Sequence, residues 1–182
     1  MFRMSRALFE RLHDLLVSTY GLKSTHKMSS TEALGMFLWM IGPPQPVRQV
    51  HNRFKRSTET ISRKFDEVLH SVYLMSVTIL KPRDPEFKSV HPRLKGPRFS
   101  PFFDNCIGAI DGTHIKVVVP ADKLVQHVGR HGYSTQNVLD ICDFDMRFTF
   151  AVAGWPGSVH DMRVFNDAIR KYRHKFPHPP PG

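Results

Sequence analysis

The chain has only two cysteines in 182 residues, too few for a disulfide framework. Cys106 and Cys142 fall in separate apparent strands, and neither has a histidine at ligand spacing, so no zinc pattern is present. Unpaired thiols fit a reducing compartment. Long apolar runs are missing too. The longest, Ala33 to Ile41, is about half the roughly twenty residues a membrane span needs, and it reads as a buried helix. The N-terminus, Met1-Phe2-Arg3-Met4-Ser5-Arg6, enters an amphipathic helix without the apolar core of a signal peptide. There is no Walker loop and no dinucleotide-binding Gly-x-Gly-x-x-Gly. Gly154-Trp155-Pro156-Gly157-Ser158 follows a strand but lacks the Lys-Ser/Thr pair that a phosphate loop uses. No Ser-His-Asp arrangement points to a hydrolase of that type. Acidic charge is also scarce. Sixteen Asp and Glu stand against 26 Lys and Arg, giving a formal net charge of +10 and a pI near 10.0. An excess of that size suits a polyanion, though it also describes a basic protein with no special partner.

The basic residues cluster. Arg48, Arg53, Lys55, Arg56, Arg63 and Lys64 lie close together with only Glu59 among them, and Lys81, Arg83, Lys88, Arg93, Lys95 and Arg98 form a second group. The first group falls in a region that reads as wholly helical. Leu8, Phe9, Leu12, Leu15 and Leu16 predict a helix from Ser5 to Tyr20, stopped by Gly21. Ser29 with Glu32 is a capping box for a helix through Ile41, ended by Gly42-Pro43-Pro44. A short third helix has Val47, Val50 and Phe54 inward. A fourth, capped by Ser57 or Thr58, has Ile61, Phe65, Val68 and Val72 on one face. Two helices joined by Lys55-Arg56-Ser57 suit a helix-turn-helix, with Thr58, Arg63 and Lys64 among the early residues facing DNA. The same pattern describes an ordinary small bundle whose polar face is merely solvated.

Five prolines between Lys81 and Pro101 predict a linker. Strands are expected at 106–111, 115–119, 137–143 and 148–153, then a helix from Asp161 to about Tyr172 with Met162, Phe165, Ala168 and Ile169 on one face. The chain thus reads as 1–80 helical and helix-turn-helix-like, 81–103 a proline-rich basic linker, and 104–182 a sheet domain. Two aspartates stand out, Asp111 after an apolar strand and Asp161 opening the last helix. Both have ordinary explanations. Asp111-Gly112 between apolar runs is a hairpin-turn signal, and an aspartate at a helix start opposes the macrodipole. Asp140, Asp143 and Asp145 are accounted for by turn chemistry.

Four blocks change the weighing: Ile110-Asp111-Gly112-Thr113-His114, Gln136-Asn137-Val138-Leu139, Cys142 to Phe148, and Ala153 to Asp161. Together they closely resemble the PIF/Harbinger transposase-derived nucleases of the DDE superfamily. Phe2 to Ser5 and Arg53 to Arg63 are similar to the N-terminal region of that family. The resemblance implies a fold of class α/β (α+β), with a helix-turn-helix-like domain followed by an incomplete RNase H-like mixed sheet with helix. It implies a divalent-metal-dependent DNA endonuclease using Mg²⁺ or Mn²⁺, in which Asp111 and Asp161 are catalytic metal ligands supported by His114 and His160. Arg48, Arg53, Lys55, Arg56, Thr58, Arg63 and Lys64 are the expected DNA contacts. The family's later carboxylates fall beyond Gly182, so the chain is expected to be C-terminally incomplete and its activity is left open. The alternative is a non-catalytic, domesticated DNA-binding or adaptor protein. DNA, a homodimer or helper DNA-binding protein, no membrane, and nuclear or partly cytoplasmic residence complete the expectations.

Overall fold

The computed structural model describes residues 4–42, 46–130 and 132–180. Met1–Arg3, Pro43–Gln45, His131 and Pro181–Gly182 lie outside them, so the proline stop after the second helix and the end of the tail fall partly beyond description. No helix among the described residues is long and apolar enough to cross a membrane. The chain divides into two compact units, Met1–Thr78 and Ile79–Gly182.

Unit one holds α1 (Arg6–Thr19), α2 (Ser30–Ile41), α3 (Val47–Phe54) and most of α4 (Thr58–Ile79). Serine starts three of these helices as the spacing predicts. Ser5, Ser29 and Ser57 each accept a backbone N–H three residues on, from Leu8, Glu32 and Thr60. The capping box at Ser29 is only half made. The Glu32 carboxylate accepts two hydrogen bonds from Arg56, at 2.8 and 2.9 Å, and so fastens the start of α2 to the turn before α4. Gly21, at φ +74°, ends the α1 segment. Leu16, Ala33, Leu34, Met36, Phe37, Val50, Ile61 and Val68 form the core, with Phe65 and Val72 packed beside them.

Unit two is a three-stranded sheet of order β1-β2-β3 with one helix packed on it. β1 is Ala109–Lys116, β2 Thr135–Cys142 and β3 Phe148–Pro156; a 3-10 turn and a one-turn α5 (Leu124–His127) lie between β1 and β2, and α6 is Asp161–Lys171. Several expectations need correction here. Asp111-Gly112 is not a hairpin. It lies inside one strand that pairs with β2 without a break, from Ala109 opposite Cys142 to Lys116 opposite Thr135. Cys106 precedes that strand. The sheet is antiparallel throughout the described residues, not mixed. The proline-rich stretch also folds: Leu94 is buried, and the His91 ring packs against Phe144 of the β2–β3 turn at 5.5 Å, near Asp145. α6 lays Val164 and Ala168 on Leu139, Ile141, Phe150 and Val152. Met162, expected to face inward, is 64% exposed and Val164 takes the buried position.

The β2–β3 ladder carries a bulge. Asn137 pairs with Trp155 and Leu139 with Val152, so Ala153 and Gly154 oppose Val138 alone. This bulge needs a backbone that L side chains rarely adopt, and Gly154 provides it at φ +105°.

Candidate functional site

Antiparallel pairing puts Gly112 opposite Leu139 and therefore on the face that α6 covers. A Cβ built on Gly112 would meet the Asp161 carboxylate, with Cγ and both oxygens inside 3.0 Å. The aspartate that opens α6 thus rests on the bare backbone of β1, one residue from Asp111. These two carboxylates, about fifty residues apart in sequence, flank the same glycine. Strand alternation turns Asp111 to the other side of β1, where its ladder partner is Asp140. Asp111 is exposed, and its Oδ1 accepts the Gly112 N–H at 2.9 Å. Asp140 is half-buried, and burial pushes its carboxyl above the ordinary aspartate value.

Asn137 holds Asp161 in place. Its Nδ2 donates to Asp161 Oδ1 at 2.7 Å and to the Val159 carbonyl at 2.8 Å. Both partners are acceptors, which fixes the amide orientation. The other end, Oδ1, is buried and has no hydrogen-bond partner among the described residues. Asn137 itself is fully buried, and its neighbour across β1 is His114. His114 is half-buried and shares a hydrogen bond between Nδ1 and Thr135 Oγ1 at 3.1 Å. His160 is exposed at the N-cap position with no side-chain cap bond, so Asp161 occupies the first helical position.

The structure brings Asp161, Asn137 and His114 to the side of the sheet that α6 covers, sets Asp111 one residue along β1 with its side chain toward the other side, and leaves His160 on the surface. Sequence reasoning missed Asn137 and Gly112. A signal was present, since asparagine is depleted from strands and this one sits inside an apolar β segment.

Among the described residues no three His, Cys, Asp or Glu side chains gather closely enough to hold a metal ion. The donor set is nonetheless all oxygen, and Asp161 keeps Oδ2 outside its bond to Asn137. Magnesium characteristically takes one or two carboxylates and fills its remaining positions with water and substrate phosphate. The bare Gly112 backbone seats the Asp161 carboxylate, which takes the space a Cβ would fill. By donor chemistry these residues fit a hard divalent cation.

Of the expected DNA contacts, Arg48, Lys55 and Thr58 are exposed, and Arg53 lies over the Trp39 ring at 5.6 Å. Lys55 makes the turn between α3 and α4 in a left-handed conformation, φ 53°. Arg56 is committed to Glu32, and Arg63 pairs with Glu59 and Glu67. Lys64 differs from expectation: it is 1% exposed and its Nζ is bonded to Glu67. Helical spacing puts it on the inner side with Ile61 and Val68, so its ammonium is withdrawn from any phosphate. Lys64→Met is therefore expected to leave DNA affinity unchanged and to hold or raise the urea midpoint, because an apolar replacement avoids desolvating an ion. A drop in affinity in a filter-binding assay would return Lys64 to the DNA-facing set.

Two family profiles match the chain. One, described as a DDE superfamily endonuclease, covers residues 110–179 and so spans both aspartates, Asn137 and the whole sheet. The other, a domain of unknown function (DUF8040), covers residues 1–74. The match to the DDE superfamily endonuclease model thus falls on the sheet unit. Along 92% of its length the chain is also similar to Protein ALP1-like of Arabidopsis thaliana, at 25% identity. The chain spans 43% of that relative's length. No solved structure matches it.

Proposed function

We propose that the protein is a Harbinger-type, divalent-metal-dependent DNA endonuclease in which Asp111 and Asp161 hold Mg²⁺ or Mn²⁺. The observation that carries this is the seating of the Asp161 carboxylate on the Gly112 backbone, beside Asp111 and held by Asn137. When bound, the metal supplies Lewis-acid stabilisation of charge on the phosphate and activates the attacking oxygen. The chain's own residues do the positioning. Asn137 fixes the rotamer of Asp161, Gly112 admits its carboxylate to the strand, and His114 stands next to Asn137 across the ladder. In unit one, α3 and α4 act as a helix-turn-helix, with Arg48, Arg53, Lys55, Thr58 and Arg63 toward the phosphate backbone. DNA as substrate, a homodimer or a helper DNA-binding protein, and nuclear residence belong to the same reading.

The test is nicking of supercoiled plasmid by the 182-residue chain in Mn²⁺. Nicking is expected to stop in EDTA and to fall to background in Asp111→Asn. Equal nicking by Asp111→Asn and wild type would refute the metal-site assignment. A second reading, a non-catalytic DNA-binding or adaptor protein, is favoured by the small carboxylate count among the described residues. It predicts no nicking from folded protein, with DNA affinity that needs no metal and falls steeply with salt.

A further inference from the structure

The solvent face of α6 carries a basic stripe. Inward, the helix shows Val164, Phe165, Ala168, Ile169 and Tyr172. Outward, Arg163, Asn166, Arg170 and Arg173 recur at helical spacing, and all are exposed. The stripe begins two residues after Asp161 and continues past the helix end.

Beyond Lys171 the backbone is held in a tight turn. The N–H groups of Lys175 and Phe176 both donate to the Tyr172 carbonyl, at 2.7 and 2.9 Å. Phe176 is buried, with ring centroids 5.1 Å from Phe150 and 5.7 Å from Phe165, and Tyr172 also meets Phe150 at 6.0 Å. Two aromatic anchors four residues apart thus fix a knuckle whose outer side presents Arg173, His174 and Lys175 to solvent.

Helix electrostatics explains only part of this. Cations in the last turn, Arg170 and Lys171, oppose the negative end of the helix dipole. Arg163 lies in the first turn, at the positive end, where a cation is unfavourable. Arg173 and Lys175 lie outside the helix. The one acid on the path, Asp167, bonds Arg170 in an exposed i,i+3 pair, which is too weak to withhold it from a phosphate.

We propose that this stripe is a DNA-backbone track leading away from the carboxylate site, separate from the helical unit's contacts. From Arg163 to Arg170 the helix rises about 10 Å, and one DNA strand advances about 3.4 Å per nucleotide. The helical part therefore faces about three phosphates, and the knuckle extends the track by one or two. The proposal rests on the endonuclease reading only for the identity of the polyanion.

The test is the salt dependence of binding to a short duplex, measured by fluorescence anisotropy in EDTA so that cutting plays no part. Removing four cations, in Arg163→Gln/Arg170→Gln/Arg173→Gln/Lys175→Gln, is expected to lower the log–log slope by about 3 to 4, at about 0.9 per phosphate contact. Lys23→Gln/Lys27→Gln, which removes exposed charge elsewhere, is expected to change it by less than about 0.5. All six side chains are exposed, so an unchanged circular dichroism spectrum is expected for both variants. A quadruple variant whose slope stays within about one of wild type overturns the track, as does a control that loses as much per charge. Failed plasmid nicking with a full slope loss would sink the endonuclease reading and leave the track standing.

Discussion

Gly112→Ala is expected to reduce metal-dependent nicking by about a hundredfold or more while changing only one methyl group. The added Cβ would occupy space already held by Asp161 Cγ and both its oxygens. Either the aspartate leaves its rotamer and its bond to Asn137, or the first turn of α6 lifts from the sheet. Misplacing a catalytic group by about 1 Å can cost a hundredfold in rate. Forcing extra volume into a filled contact costs about 1–3 kcal/mol. Both consequences are measurable, the first as plasmid nicking in Mn²⁺ and the second as a lower urea midpoint. A variant that nicks within about tenfold of wild type would show that the seating of Asp161 on β1 is unimportant to the chemistry.

Asn137 is the second sensitive point, and two replacements separate its roles. Asn137→Ala removes both hydrogen bonds, frees the Val159 carbonyl and Asp161 from their shared donor, and leaves a void. Stability should fall by about 2–3 kcal/mol. Mn²⁺ affinity measured by calorimetry should weaken by about tenfold to a hundredfold, the usual cost of losing an outer partner of a ligand. Asn137→Asp is the harsher change at neutral pH. It puts a buried carboxylate against an acceptor carbonyl and a second carboxylate, and the expected loss is about 3–5 kcal/mol. That loss should shrink as pH falls, because the introduced carboxyl, once protonated, can again donate one hydrogen bond. The sign follows from burial: the folded-state carboxyl of the variant is raised, so its penalty is absent below the unfolded value and grows as pH rises toward the folded one. A flat pH dependence of the difference between variant and wild type would rule out this account of the site.

The legible parts of the fold were those set by local chemistry. Serines three residues ahead of a free N–H mark helix starts wherever they occur, and Gly21 marks a stop by its own conformational freedom. The inner face of α4 was readable from Ile61 to Val72 because a long helix repeats its signal over many turns. Asp111-Gly112 was misread for the opposite reason. The dipeptide has strong turn chemistry, but β2 offers eight consecutive pairing partners, and the ladder outweighs the local preference. Nor could alternation correct it, because much of β1 is exposed and carries little apolar pattern. Lys64 was misassigned because charge suggested a surface where helical spacing put the core. At the site, Asp111 and Asp161 were visible through family resemblance. Gly112 and Asn137 were not, because their roles exist only once α6 has folded onto the sheet.

Asp111 lies on β1. Among the described residues β1 pairs with β2 on one side only, and both Ile110 and Ile115 are substantially exposed along it. Such a border is a template for intermolecular strand addition, and natural sheets guard against this with charge or by occupying free donors. Asp111 does both, since its carboxylate is negative and its Oδ1 takes the Gly112 N–H. In the 182-residue chain, the proposed metal ligand is therefore expected also to hinder strand addition at that border. Asp111→Asn, the natural knockout for the chemistry, removes that charge as well, so its solution state needs checking by light scattering before a loss of cutting is credited to the metal alone.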